Sequence, residues 1–379
     1  MSDVRHLYVH LPFCVHRCGY CDFVTVVGRQ RDHRPYVDAL LAELELEGGV
    51  LAPRLETIFL GGGTPTFMQA SELARLLAAL PGAEEVTVEA NPETVTPTVA
   101  ALLRRSGVTR VSLGAQSFQP RLLSTLERRA GPEVVRRAFY YLRDASFDNI
   151  SLDLLYGIPG QKPSDLERDL EEALALEPEH LSCYELEAKP GTRFTHTHGD
   201  ELARQSEAME GYFERVVEVL TGAGYRWYET ANFCLDARRC GGRDLRARHN
   251  LAYWRGRDYL GLGIGAVSTV RGRRCRTTPK LAAYLEALAG GERPPREVEP
   301  LTADVQRAER VLLGLRLDEP VRLSGLEPAL DRGGVARMEG LGLVERRHED
   351  GGAELLTLTR RGRLLGGAVT VEILGKVPA

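Results

Sequence analysis

Apolar, β-rich runs alternate with segments of helical periodicity along the first half of the chain. Strands are expected at 7–13, 56–62, 85–92, 110–118, 149–159 and 180–188. Between them, 36–47, 71–80, 96–107, 132–145 and 165–176 carry apolar positions at helical spacing, with Pro or Ser near several starts and Gly after some ends. Alternation at this spacing indicates parallel βα units. Six such units, two short of a closed eightfold barrel, predict an α/β fold: an incomplete (β/α)6 TIM-like barrel, with a doubly wound open sheet as the alternative. Each expected strand ends in a polar or glycine residue: Gly61–Gly63, Glu89, Gln116, Asp153, Tyr184, and a cysteine-rich loop after the first. That favours the barrel, whose strand ends share one mouth. A longer helix at about 201–222 and a strand at 225–233 follow.

The pattern changes after about 275. The expected organisation is a barrel domain over 1–275, a helix and a Gly/Pro/charge-rich linker over 276–300, and a small domain over 301–379. From 323 onward the chain reads helix, helix, hairpin, helix, which is winged-helix-like, with "RRHEDGGAELLTL" as the wing. Its mixed charge suits a lid or packing domain and not a DNA reader.

The 379-residue chain is 43% hydrophobic and 27% charged, as ordinary globular proteins are. A net charge of −4 leaves no excess of cations for phosphates, so nucleic acid is not an expected partner. No run approaches the roughly 20 apolar residues of a membrane span, and the N-terminus lacks the apolar region of a signal peptide. Seven cysteines without an export signal predict a reducing, cytoplasmic setting, with thiols kept for metal or catalysis.

Three of those thiols form a C-x3-C-x2-C run, Cys14, Cys18 and Cys21. Three thiolates can hold three irons of a [4Fe–4S] cluster and leave the fourth iron open to an exogenous molecule. A structural zinc, completed by His10 or His16, is the alternative. The second strand ends in "IFLGGGTPTF", where glycines let other groups approach the backbone. It lacks the Lys-Ser/Thr of a P-loop. Cys183, on an apolar strand, is expected in the core. Cys234, Cys240 and Cys275 show no convincing ligand spacing.

"YVHLPFCVHRCGYCDF" followed by "GGGTP" resembles the radical S-adenosylmethionine superfamily, in the branch of the oxygen-independent coproporphyrinogen III oxidases and their HemW-type relatives. The likeness continues through "EANPE", "GAQSF", "LERR", "SLDLLYGIPGQ" and "HLSCYELEAKPGTRF" and covers most of residues 5–275. The resemblance implies the radical S-adenosylmethionine type of barrel and a [4Fe–4S] cluster on the three cysteines. It also implies S-adenosylmethionine surrounded by Tyr8, Tyr20, Gly63, Thr64, Pro65, Glu89, Gln116, Arg128 and Asp153. The oxidases carry a fourth cysteine where this chain has Phe23; HemW-type proteins are similar to it in having Phe there. "HNLAYW" matches the H-N-x-x-Y-W motif of the HemW-type haem chaperones, with His249 offering an axial iron ligand and Tyr253 and Trp254 flat faces for a macrocycle. The plainer reading has His249 and Asn250 satisfying backbone groups while the aromatics join the core.

What the resemblance implies is a haem chaperone that binds haem as cargo and passes it to client haemoproteins, those of the respiratory chain included. Contact with a membrane surface is left open. The enzyme alternative is oxygen-independent oxidation of coproporphyrinogen III, which Phe23 argues against. Radical chemistry on another large substrate is a third reading.

Overall fold

The computed structural model describes residues 4–187, 189, 192–349 and 352–375. Six parallel strands carry the expected βα rhythm: β1 (His6–Leu11), β2 (Leu55–Gly62), β3 (Ala83–Ala90), β4 (Arg110–Gln116), β5 (Ile150–Tyr156) and β6 (His180–Glu185). Their connections hold α1 (His33–Glu47), α2 (Ala70–Ala79), α3 (Pro97–Arg105), α4 (Pro120–Thr125), α5 (Pro132–Asp144) and α6 (Pro163–Ala175). Proline stands at the first position of α3, α4, α5 and α6. There its fixed φ suits a helix and its missing N–H leaves no bond unmade. Thr96 caps α3 by accepting from Val99 N–H, and Asp165 accepts from Lys162 N–H at the start of α6.

Strands pair in strict chain order from β1 to β6. A doubly wound sheet would reverse its order partway; this one curls in one sense, as a barrel does. It does not close. Among the described residues the nine-stranded sheet ends in β9 (Leu260–Leu262), parallel beside β1, and in the hairpin of β7 (Tyr225–Trp227) and β8 (Asn232–Leu235), antiparallel beside β6. The expected strand at 225–233 is therefore two strands folded back at 228–231. The strands bury both faces: Leu7, Leu60, Val88, Leu113, Leu152 and Leu181 are all fully enclosed. In β5 only Asp153 escapes complete burial, because its side chain meets a cavity instead of packed atoms.

Three other expectations are corrected. The helix expected at 201–222 is α7 (Arg193–Gln205) and α8 (Met209–Gly222), separated by a 3-10 turn at Ser206–Ala208. The 276–300 segment is not a loose linker. Its helix α10 (Leu281–Ala289) enters the barrel core through Tyr284, and β12 (Arg296–Pro300) pairs with β11 (Arg273–Thr277), itself paired with β10 (Val267–Val270). The charges that suggested a linker are ion-pair partners of α1. Arg296 meets the fully buried Glu43 at 3.0 Å and Glu47 at 2.9 Å, while Glu43 also accepts from Gly263 N–H and the Tyr284 hydroxyl.

The C-terminal unit has its own core of Val311, Leu315, Val321, Met338, Leu356 and Ile373. It consists of α11 (Ala303–Gly314), α12 (Arg332–Gly340), the hairpin Val344–His348/Glu354–Leu358 with a third short strand at Val321–Arg322, and closing helices to Ile373. The first helix expected after 323 is a single 3-10 turn, Glu327–Ala329. Asp350 and Gly351 of the expected wing lie outside the described residues, as do Ala188, Pro190 and Gly191 near β6. The unit packs on the barrel through Arg226–Asp318 at 2.7 Å and Arg255–Glu319 at 2.8 Å, with Arg363 3.7 Å above the Trp227 ring.

Candidate functional site

The C-terminal ends of β1 to β6 and the loop after β1 enclose a cavity of about 460 Å³. Cys14, Cys18, Cys21, Tyr20, Gly63, Thr64, Glu89, Gln116, Arg128 and Asp153 all line it. Residues from five strands or their following loops thus converge on one space. Tyr8 and Pro65 stand outside that lining. The Tyr8 hydroxyl bonds His10 Nδ1 at 2.9 Å in an adjoining cavity of about 240 Å³, and Pro65 is buried in the turn after Thr64.

The thiol loop is held by its surroundings. Val26 N–H donates to Pro12 O and Gly28 N–H to Cys14 O, so the loop returns along its own stem. Thr64 Oγ1 lies 3.6 Å from Cys14 Sγ, Asn91 Nδ2 donates to Thr64 Oγ1 at 3.0 Å, and Arg128 Nη2 donates to Asn91 Oδ1 at 3.0 Å. Arg128 Nη1 then lies 3.8 Å from Cys18 Sγ. A continuous polar arc thereby links two of the thiols. Burial pushes the Cys14 thiol up to about 11 and raises that of Cys21, so iron must displace protons to bind them.

The donor set fits a cluster better than one ion. Among the described residues no three His, Cys, Asp or Glu side chains converge on a point that could hold a single metal ion. A cluster takes one thiolate per iron and needs no such convergence. His10, a candidate fourth zinc ligand, uses Nδ1 on Tyr8 and Nε2 on Val24 O at 2.8 Å. His16 does line the cavity, 3.7 Å from Glu127.

The glycine run acts by admitting protein atoms. Gly62, at φ 104°, leaves a would-be Cβ only 2.3 Å from the His10 ring, and one on Gly63 would lie 2.6 Å from the Pro12 carbonyl carbon. The expected free amides are taken: Gly62 N–H donates to Glu89 at 3.0 Å, Gly63 N–H to Leu11 O and Thr64 N–H to Phe13 O. Gln116 takes φ 65°, in the left-handed region, and the β4–β5 register shifts beside it. Such strain in a non-glycine residue gathers at ligand sites.

Two buried carboxylates face the same space. Burial, with Asp153 nearby, raises Glu89 to about 7 against the pull of Gly62 N–H. Burial also raises Asp153, although Ser112, Ser151 and Ser182 hold its carboxylate. Thr87 Oγ1 and Arg110 Nη2 line the cavity as well, and both are buried without a protein partner. Acceptors, an orphan hydroxyl and an orphan guanidinium nitrogen suit a ligand bearing an ammonium, a carboxylate and sugar hydroxyls. S-adenosylmethionine has all three. Asn91 and Arg110 were missed by sequence reasoning; Asn91 follows Glu89 by two residues in "EANPE", and Arg110 is a lone charge opening an apolar strand.

His249 is not where a free ligand would be. It starts α9 (Arg248–Trp254), is 1% exposed, and bonds Thr57 Oγ1 through Nδ1 at 2.7 Å and the Tyr253 hydroxyl through Nε2 at 2.9 Å. Both ring nitrogens are occupied, as the plainer reading of the motif expects, although the partners are side chains and not backbone. Its neighbour Asn250 lines the main cavity instead.

A family model described as "Radical SAM superfamily" matches residues 8–173. The solved structure of coproporphyrinogen III oxidase (HemN) from Escherichia coli is similar over 98% of this chain and 90% of that one, with a TM-score of 0.80 and 24% identity; it shares the fold. Fold and thiol site together define a member of the radical S-adenosylmethionine superfamily, whose members hold a [4Fe–4S] cluster and S-adenosylmethionine. Curated relatives narrow this. "Heme chaperone HemW" of Mycobacterium tuberculosis (strain H37Rv) is 37% identical over 97% of this chain and 94% of that protein. Its namesakes in Bacillus subtilis (32%, covering 99% and 100%) and Escherichia coli (37%, covering 72% of each) are also similar. The chain belongs to the HemW family of haem chaperones.

Proposed function

We propose that this protein binds haem and passes it to client haemoproteins, with a [4Fe–4S] cluster on Cys14, Cys18 and Cys21 and S-adenosylmethionine in the adjoining cavity. Haem binding is what the relatives' name states of them; Phe23 is the observation that carries it here. Its side chain stands at the mouth of the main cavity, 64% exposed, where the resemblance places the oxidases' fourth thiol. An apolar ring there offers no ligand to a metal, so the chain lacks the residue that the resemblance gives the oxidases. When bound, the cluster supplies an open iron for the amino and carboxylate groups of S-adenosylmethionine.

Glu89 and Asp153 accept from the nucleotide, Arg128 steadies both the thiol loop and a carboxylate, and Gln116 is held in a strained turn facing them. No helix among the described residues is long and apolar enough to cross a membrane. The test is to reconstitute the protein anaerobically, measure iron and sulfide, and offer it haem and coproporphyrinogen III separately. Bound haem, unaltered coproporphyrinogen and stoichiometric sulfide are expected; protoporphyrinogen formation would restore the enzyme reading. Glu89→Ala or Asp153→Ala should weaken S-adenosylmethionine binding by about 1.5–3 kcal/mol.

A further inference from the structure

A second cavity, of about 750 Å³, lies between the barrel and the C-terminal unit, far from saturated by its own side chains. One wall is the end of α9 and the strand after it, with Tyr253, Trp254 and Tyr259. The other is α11, with Leu312 and Leu313. Its volume falls within the range of about 300–1,000 Å³ typical of cofactor sites. Flat aromatic and leucine walls suit a broad planar guest.

The charges decide what kind of guest. Four arginines line the cleft against two carboxylates, and those carboxylates are engaged. Glu309 pairs with Arg274 at 2.6 Å, and Asp258 accepts from Arg271 N–H at 2.9 Å. Arg307 pairs with Asp304. Arg257 and Arg310 have no carboxylate partner among the described residues; the nearest acceptor to Arg310 is Trp254 O at 3.5 Å. Burial, with the guanidiniums of Arg257 and Arg255 nearby, lowers the pKa of Arg310 against the pull of Glu319. The buried Trp254 Nε1 also lacks a partner. A neighbouring cavity near the N-terminal ends of the strands is equally large and rich in arginine. There Arg5, Arg248 and Arg255 are already paired with Glu56, Glu84 and Glu319, and Arg257, which borders both cavities, is its one arginine without a carboxylate partner among the described residues.

We infer that this cleft is the haem site, resting on the function proposed above. The macrocycle lies between the α9 aromatics and the α11 leucines, and its two propionates pair with Arg257 and Arg310. Haem is a flat apolar plate with two carboxylates on one edge, and the cleft is lined by aromatic and leucine side chains with two neighbouring cations that lack a carboxylate partner. This assigns to the small C-terminal unit one wall of the cargo site.

The experiment is a cycle between protein and ligand, read by absorption and tryptophan fluorescence on the full-length protein. Haem and its dimethyl ester, which lacks the two charges, are titrated into wild type and the Arg257→Gln/Arg310→Gln variant. Haem should bind the variant at least about tenfold more weakly, since charge-assisted pairs to carboxylates are the strong ones. The ester should bind both proteins alike. Leu312→Glu, at an exposed position, should weaken haem by placing an anion at the cleft. Equal haem affinity in all three proteins would overturn the assignment and leave haem binding in place. Absence of haem binding by wild type would overturn the function as well.

Discussion

The imidazole Nε2 of His249 and the phenol oxygen of Tyr253 are 2.9 Å apart, one turn of α9 from each other. The bond ends a chain through the barrel interior. His6 Nε2 faces Glu56 at 3.8 Å, and His6 Nδ1 is 3.0 Å from Thr57 Oγ1, which is 2.7 Å from His249 Nδ1. A carboxylate at one end favours the proton on His6 Nε2. Thr57 then donates to His6 and accepts from His249 Nδ1–H, so His249 Nε2 accepts the Tyr253 proton. Burial holds His249 down to about 3, and it stays neutral.

His249→Ala should therefore act on the scaffold. It removes a buried ring and leaves Tyr253 without its acceptor and Thr57 with His6 alone, at roughly 2–4 kcal/mol in a urea titration. The haem bands should keep their wild-type positions. A displaced Soret band in this variant would show that the imidazole leaves its pairing to reach iron.

Glu89 predicts a pH effect on the ligand-free protein. Its folded value, about 7, lies above the ordinary 4.5, so the folded state holds a proton that the unfolded chain has already lost. This group's contribution to stability is undiminished below about pH 4.5 and falls as pH rises through 7. Glu89→Gln removes the titration and can still accept from Gly62 N–H. Urea midpoints at pH 5 and pH 8 should show the variant gaining roughly 2–3 kcal/mol on wild type across that interval. Parallel pH curves would refute the placement of this proton.

Gly63→Ala tests how tightly the thiol stem is seated. Its Cβ would press on the Pro12 backbone, which cannot turn aside as a flexible side chain could. The expected result is loss of most iron and sulfide after reconstitution, with the far-ultraviolet circular dichroism of wild type. Full cluster content would mean that the stem moves freely.

Glu43→Ala should be the most damaging of these changes away from the cavity. It leaves Arg296 with Glu47 alone and takes the acceptor from the Tyr284 hydroxyl and Gly263 N–H inside the core, for which about 3–5 kcal/mol is expected. Thermal unfolding reads it directly, and a change below about 1 kcal/mol would mark the pair as dispensable.

The six parallel strands were legible because each is a short apolar run buried on both faces, and Cys14, Cys18 and Cys21 because their spacing is local. What periodicity could not reveal were features decided by distant partners. Gly/Pro/charge composition at 276–300 looked like a linker, since the buried Glu43 that recruits Arg296 lies some 250 positions earlier. The break at Ser206–Ala208 falls inside a continuous helical pattern, with neither proline nor glycine to announce it. Likewise His249 resembled an open ligand until Thr57 and Tyr253 were seen on either side of its ring.

The pairing of β1 with β9 bears on the order in which the molecule is made. β1 leads straight into the thiol loop, yet Leu7 finds its neighbour Leu260 only after about 250 further residues have been synthesised. Glu43 waits as long for Arg296. β1 is thus among the last of the parallel strands to be flanked on both sides, and loops of that length close slowly. Metallation of the nascent chain must then follow near-complete translation, or else proceed on a stem that still has one bare edge.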